Sequence, residues 1–234
     1  MKKLYLALGL AGVMSAPNVF ASFEGTLSMT EAGGNYGGGG LFKAVTSANG
    51  TFDTFCLSIE TEFTPSTTYN YNLSSTILAN GVPPAPSYIT YGTAYIYNQF
   101  RLGNATFGGN LSASGEDQIL DDVQATIWFL QGLISTSPSD PGYNGTYGYG
   151  TLGSEITAML ATLESASGKS LSALEANGNG AFEVMAMNLY NTDGSPAQPQ
   201  LAQVPEATTM VAGALLLLPF GASTLRILRK NRMA

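Results

Sequence analysis

A single thiol, Cys56, and the absence of any histidine set the chemistry open to this chain. Without imidazole, Ser-His-Asp and Cys-His nucleophilic schemes are closed, and the usual zinc sites, which need imidazole or several thiolates, have no ligand set to draw on. One cysteine cannot close an internal disulfide either. Cys56 lies in Thr54-Phe55-Cys56-Leu57-Ser58-Ile59-Glu60, with an aromatic residue before it and an aliphatic one after. A lone thiol in an exported chain invites oxidation and cross-linking, so it is either buried as a small hydrophobe or put to use. Paired carboxylates remain available for glycan hydrolysis. The densest acidic patch, Glu116, Asp117, Asp121 and Asp122, falls at the start of an expected helix, where carboxylates complement the helix dipole. No metal or cofactor is expected.

Export is written at both ends. Lys2 and Lys3 precede the apolar run Leu4 to Met14, and Val19-Phe20-Ala21 supplies small residues for a signal peptidase, so residues 1–21 read as a signal peptide and the mature chain starts at Ser22. At the other end, residues 208–225 carry no charged side chain, and a helix of that length spans about 27 Å, close to a bilayer core. Arg226, Arg229, Lys230 and Arg232 follow it and hold that end on the cytoplasmic side. A single C-terminal transmembrane helix at 208–225 is therefore expected, with residues 22–203 outside the cell.

Between the ends, fifteen acidic residues face only Lys43, Arg101 and Lys169, a net charge of −12 for the exported part. Such a surface repels nucleic acid and anionic lipid. Strands are expected at 23–30, 41–46 and 51–63, with a Gly-rich turn over 33–40 and an Asn49-Gly50 turn. The four consecutive glycines lack the Lys-Ser/Thr of a phosphate loop. Thr64 to Ser87 reads as loop with a strand or two at most, and Tyr88 to Phe100 as a helix. Ser114 opens the clearest helix, with Ile119, Val123, Ile127 and Leu130 on one face and Trp128, the chain's one tryptophan, beside them. Tyr143, Tyr147 and Tyr149 stand in a Gly-rich aromatic loop, a further helix is expected over 152–166, and 181–190 alternates as a late strand. The expected class is α+β: a β-rich exported domain with a central helical block, plus the C-terminal transmembrane helix.

Two resemblances follow from these residues. Val204-Pro205-Glu206-Ala207, the apolar run and the basic end resemble the PEP-CTERM sorting signal over residues 204–234, with Ala207 where the family has a second Pro. That resemblance implies processing by an exosortase-like membrane protease and display at the cell surface or in an exopolysaccharide matrix. A permanent tail anchor is the plainer alternative. Phe55-Cys56-Leu57, Val123-Gln124-Ala125-Thr126-Ile127-Trp128 and Ala197-Gln198-Pro199-Gln200-Leu201-Ala202 resemble, in order, the three motifs of bacterial thioester domains.

The second resemblance implies an internal thioester between Cys56 and Gln198, with Gln124 organising the site and Trp128 walling it from water. A protein of this kind is an adhesin that captures an amine on a surface protein in one covalent event, and no turnover enzyme. The plain alternative keeps Cys56 as a buried thiol and the three motifs as packing. A different class, a secreted carboxylate-based glycan enzyme, would need Glu60 or Glu62 opposite Asp121 or Asp122 in one cleft.

Overall fold

The computed structural model describes residues 24–36, 39–48, 50–59, 61–78, 88–109, 117–134 and 152–204. Six strands, β1 (Gly25–Tyr36), β2 (Gly39–Thr46), β3 (Gly50–Phe55), β4 (Thr68–Ser74), β5 (Val184–Tyr190) and β6 (Gln200–Gln203), form one antiparallel sheet in the order β3-β2-β1-β4-β5-β6. Its outer strands do not end in solvent. Cys56, just past β3, bridges to Gln200 at the start of β6, Leu57 N–H donates to Pro199 C=O at 2.8 Å, and the Thr54 hydroxyl donates to Leu201 C=O at 2.6 Å. The two edges therefore meet, and the sheet comes close to a barrel, which removes most of the unpaired edge.

Among the described residues four α-helices accompany the sheet: α1 (Tyr91–Arg101), α2 (Asp117–Leu130), α3 (Leu152–Ser167) and the single turn α4 (Leu171–Leu174). The three-and-four spacing on α2 buries Val123, Ile127 and Leu130 as expected for a core-facing stripe. Gln124, Ala125, Thr126 and Trp128 are also fully enclosed, because β1 and β2 pack on one side of the helix and α1 and α3 on the others. On β1 and β2 the inward residues Leu27, Met29, Phe42 and Ala44 alternate with outward Thr30, Lys43 and Val45.

The expected α+β class with a C-terminal transmembrane helix is corrected. Strands from both ends of the domain belong to a single near-closed antiparallel sheet with a few helices packed on it. Among the described residues no helix is long and apolar enough to cross a membrane. Segment 208–225 lies outside the described residues, as do the signal peptide 1–21, Glu206, the basic cluster Arg226, Arg229, Lys230 and Arg232, and the aromatic loop with Tyr143, Tyr147 and Tyr149.

Smaller differences have local causes. β1 runs on through Gly33 and Gly34, where register shifts let the strand continue instead of turning. At Gly34 the backbone is left-handed (φ +68°), and an added Cβ would sit 2.7 Å from Asp121 Oδ1 on α2, so the helix packs onto bare backbone there. Within the stretch read as loop, β4 is a central strand: Tyr69 and Tyr71 alternate inward and are buried, while Asn70 between them is only partly covered. β6 pairs with β5 from Val184↔Gln203 to Met187↔Gln200, where the sequence reads as a run-out past Pro196 and Pro199.

Candidate functional site around Cys56

Cys56 lies where β3 ends, on the seam between the two sheet edges, and is fully buried. α2 reaches it from inside the sheet with Gln124. The Gln124 carboxamide clamps the residue: its Oε1 accepts from Cys56 N–H at 3.1 Å, and its Nε2 donates to Cys56 C=O at 3.0 Å. This is the pair of bonds that a neighbouring strand would supply, delivered by a side chain. The same Oε1 also takes the thiol, with Sγ at 3.3 Å. Both ends of this amide are committed, which makes Gln124 a holder of Cys56.

Trp128, one helical turn on, covers the sulfur from the side. Close approach is possible because β2 opens on Gly39: a Cβ there would lie 2.5 Å from Trp128 Cζ2 and 3.0 Å from Cys56 Sγ. Burial pushes the Cys56 thiol up to about 12. Hydrogen bonding to the sulfur from the Gly40 backbone, its own backbone and Trp128 pulls the other way without reversing this. The site stabilises a neutral sulfur, either a thiol or a sulfur capped by a neutral bond.

Two further glutamines lie on the other side of the seam. Gln198, the acyl partner implied by the thioester resemblance, faces Ser58: its Nε2 donates to Ser58 C=O at 2.9 Å, and it is 3% exposed. Gln200 is the residue opposite Cys56 in the antiparallel pairing. Opposite residues in such a pair hold their Cβ atoms about 4.5–5.5 Å apart, within reach of a Cys-to-Gln side-chain bond. Gln200 is fully buried, yet its amide is poorly held. Its Nε2 has only long contacts to Gln198, 3.5 Å to the backbone oxygen and 3.4 Å to Oε1, and its own Oε1 has no hydrogen-bond partner among the described residues. A buried amide oxygen left unpaired costs about 1–3 kcal/mol. The spaced motif in the sequence points to Gln198, whereas the strand pairing sets Gln200 opposite Cys56. The Gln-Pro-Gln doublet was the available signal, since two residues of equal parity share a face and only register decides between them.

Beside the seam a recess of about 230 Å³ opens to solvent. Trp128 and Gln198 form part of its wall, with Phe42, Phe63 and Ile59, and Glu31 and Glu62 stand at its mouth. The other carboxylate in the recess that holds Glu62 is thus Glu31, and neither Asp121 nor Asp122 lines it. Glu60 is outside the described residues. Among the described residues no cluster of His, Cys, Asp and Glu is arranged to hold a metal ion. Of the sorting motif, Val204 is tied to the fold by its N–H to Glu183 C=O at 2.9 Å, and Pro205 and Glu206 lie beyond the described residues.

No family model, no curated protein and no solved structure matches this chain.

Proposed function

We propose that this is an exported cell-surface or extracellular-matrix protein whose folded domain carries an internal thioester between Cys56 and Gln200, used once to capture an amine. The observation that supports it most is the pairing at the seam: a buried thiol clamped by Gln124 and set opposite a buried glutamine whose amide is nearly unsatisfied. In forming the bond, Cys56 sulfur adds to the Gln200 carboxamide carbon, the carbon–nitrogen bond breaks, and ammonia leaves with the thiol proton. Capture runs the exchange the other way: an amine nitrogen adds to the acyl carbon and forms an amide, the carbon–sulfur bond breaks, and sulfur leaves with the amine proton as a free thiol. No residue turns over, so the protein acts as an adhesin. Gln200 takes the acyl role in this reading because Gln198 is spent on Ser58 and Gln124 on the Cys56 backbone.

The dry surroundings suit this chemistry in one respect and resist it in another. A thioester is neutral and sheltered from hydrolysis by Trp128, while a thiol pushed up to about 12 is a poor nucleophile until a proton acceptor reaches it. The Gln124 oxygen accepts a hydrogen bond from the thiol and so orients it, but an amide oxygen is too weak a base to take the proton.

Sorting through Val204-Pro205-Glu206 by an exosortase-like protease, with association to exopolysaccharide, is the cellular setting that the sequence supports. Tags at both ends of the chain, followed to the cell surface, test it: the N-terminal tag is lost with the leader and the C-terminal tag at the sorting motif.

The thioester is tested by mass. Protein isolated from the exporting cell weighs one ammonia less than its processed sequence, yields a Cys56–Gln200 cross-linked peptide, and takes up methylamine at Gln200. A full sequence mass together with a Cys56 thiol that alkylates on unfolding overturns the proposal.

A further inference from the structure

The recess beside the seam has a composition that a packing role does not require. Phe42 and Phe63 meet edge to face at a centroid distance of 4.7 Å with their planes at 89°, so the two rings turn different surfaces to the opening. Phe42 and Trp128 are buried in its wall, whereas Glu31 and Glu62 are exposed at its rim. Glu31 pairs with Phe42 across β1 and β2, which puts their side chains side by side on one face of the sheet.

Among the described residues no cation lines this space. Lys43 follows Phe42 in β2 and so points to the opposite face, Arg101 lines a different hollow with Thr51 and Val204, and Lys169 sits over the Tyr91 ring at 5.5 Å. Two carboxylates open to water at the rim of an aromatic-walled recess, with no cation among the described lining residues, suit a cation with an apolar stem. Aromatic faces attract such a group through their quadrupole, and exposed carboxylates add a salt-sensitive attraction.

We infer that the recess formed by Glu31, Phe42, Phe63, Glu62 and Trp128 is a binding site for an aliphatic ammonium group, such as the side chain of a lysine on a partner protein. The site goes beyond the proposed thioester and binds its ligand at equilibrium whether or not that bond forms. Ammonium charge and alkyl length are both recognised: the carboxylates take the charge, and the wall takes the methylene stem.

The test uses the full chain and a Cys56→Ser form, so that covalent capture cannot mimic binding. The chain's one tryptophan lies in the wall and reports occupancy by fluorescence, with equilibrium dialysis of labelled n-butylamine as the independent measure. Both forms are expected to bind n-butylammonium saturably, and to bind n-butanol, of the same shape without charge, about threefold to tenfold more weakly. A Glu31→Gln, Glu62→Gln double variant loses the same factor while keeping its thermal midpoint, because both side chains are exposed. Tetramethylammonium binding as well as n-butylammonium extends the site to quaternary ammonium ligands.

Equal binding of n-butylammonium and n-butanol, no binding of either, or tighter binding of a neutral oligosaccharide overturns the inference. Binding in the Cys56→Ser form combined with an unmodified sequence mass in the parent chain would sustain the ammonium site and remove the thioester.

Discussion

The two sides of Trp128 are built to opposite rules. On one side the Cys56 seam is sealed: every polar group of Cys56 is matched by Gln124, and the sulfur is kept neutral by burial. On the other side the recess keeps the carboxylates of Glu31 and Glu62 in water, beside an aromatic wall of which Phe63 is partly exposed. The contrast separates a thiol closed off from water from a charged recess open to it, and the Trp128 indole lies against both. Burial suits the proposed thioester, and exposed charge beside an aromatic wall suits the proposed ammonium site.

Substitutions that breach the wall have the largest expected effect. Trp128→Ala removes a fully buried indole and joins the two sides, at a cost of about 3–5 kcal/mol in denaturant unfolding. An unchanged midpoint would mean that the sides are not divided by this residue. Next comes the clamp. Gln124→Leu leaves the buried N–H and C=O of Cys56 without partners and is expected to cost about 2–3 kcal/mol. Gln124→Glu keeps the acceptor but loses the donor to Cys56 C=O, and so fails to restore it.

A pH series sharpens the contrast further. The free thiol ionises near its ordinary value of 9.0 when unfolded, and at about 12 when folded. Its contribution is therefore whole below pH 9 and is lost as pH rises toward 12, with a slope on the order of 1 kcal/mol per pH unit. Cys56→Ala abolishes that component, and a chain whose sulfur is already acylated never shows it. Tyr97, whose phenol is also raised by burial, contributes an alkaline loss common to all these forms, so the difference between chains is the quantity to measure. The smallest effect belongs to the open side: Glu31→Gln and Glu62→Gln each change stability by less than about 0.5 kcal/mol, and a larger loss would assign these carboxylates to the fold instead of to a ligand.

The sealed side was partly legible in the sequence. Spacings of three and four fixed α2, and the placement of Gln124 and Trp128 one turn apart follows from helical period alone. Cys56 followed as a residue to be buried or used. The partner on the far strand was not legible, because Gln198 and Gln200 share a face by parity and the choice depends on which residue meets Cys56 after the sheet has closed. β6 itself is four residues long and preceded by Pro199, too short for a periodic pattern to register. β4 carried its signal in alternating tyrosines, masked by the Asn, Thr and Ser that made the stretch look like loop. The open side was not legible at all: Glu31, Phe42 and Glu62 come from three separate segments, and only the β1–β2 register and the turn after Cys56 collect them.

The bridge from Cys56 to Gln200 also sets an order of events in time. A ribosome makes the thiol early and its opposite glutamine late, with α1 to α4 and the strands β4 and β5 in between. Until β6 docks, the sulfur has no counterpart across the seam, and contacts that span so much sequence are the slow ones to form. Arrival of β6 is therefore the step that shuts this chamber, and a truncated product ending before β6 would leave its cysteine open to whatever thiol or oxidant it meets first.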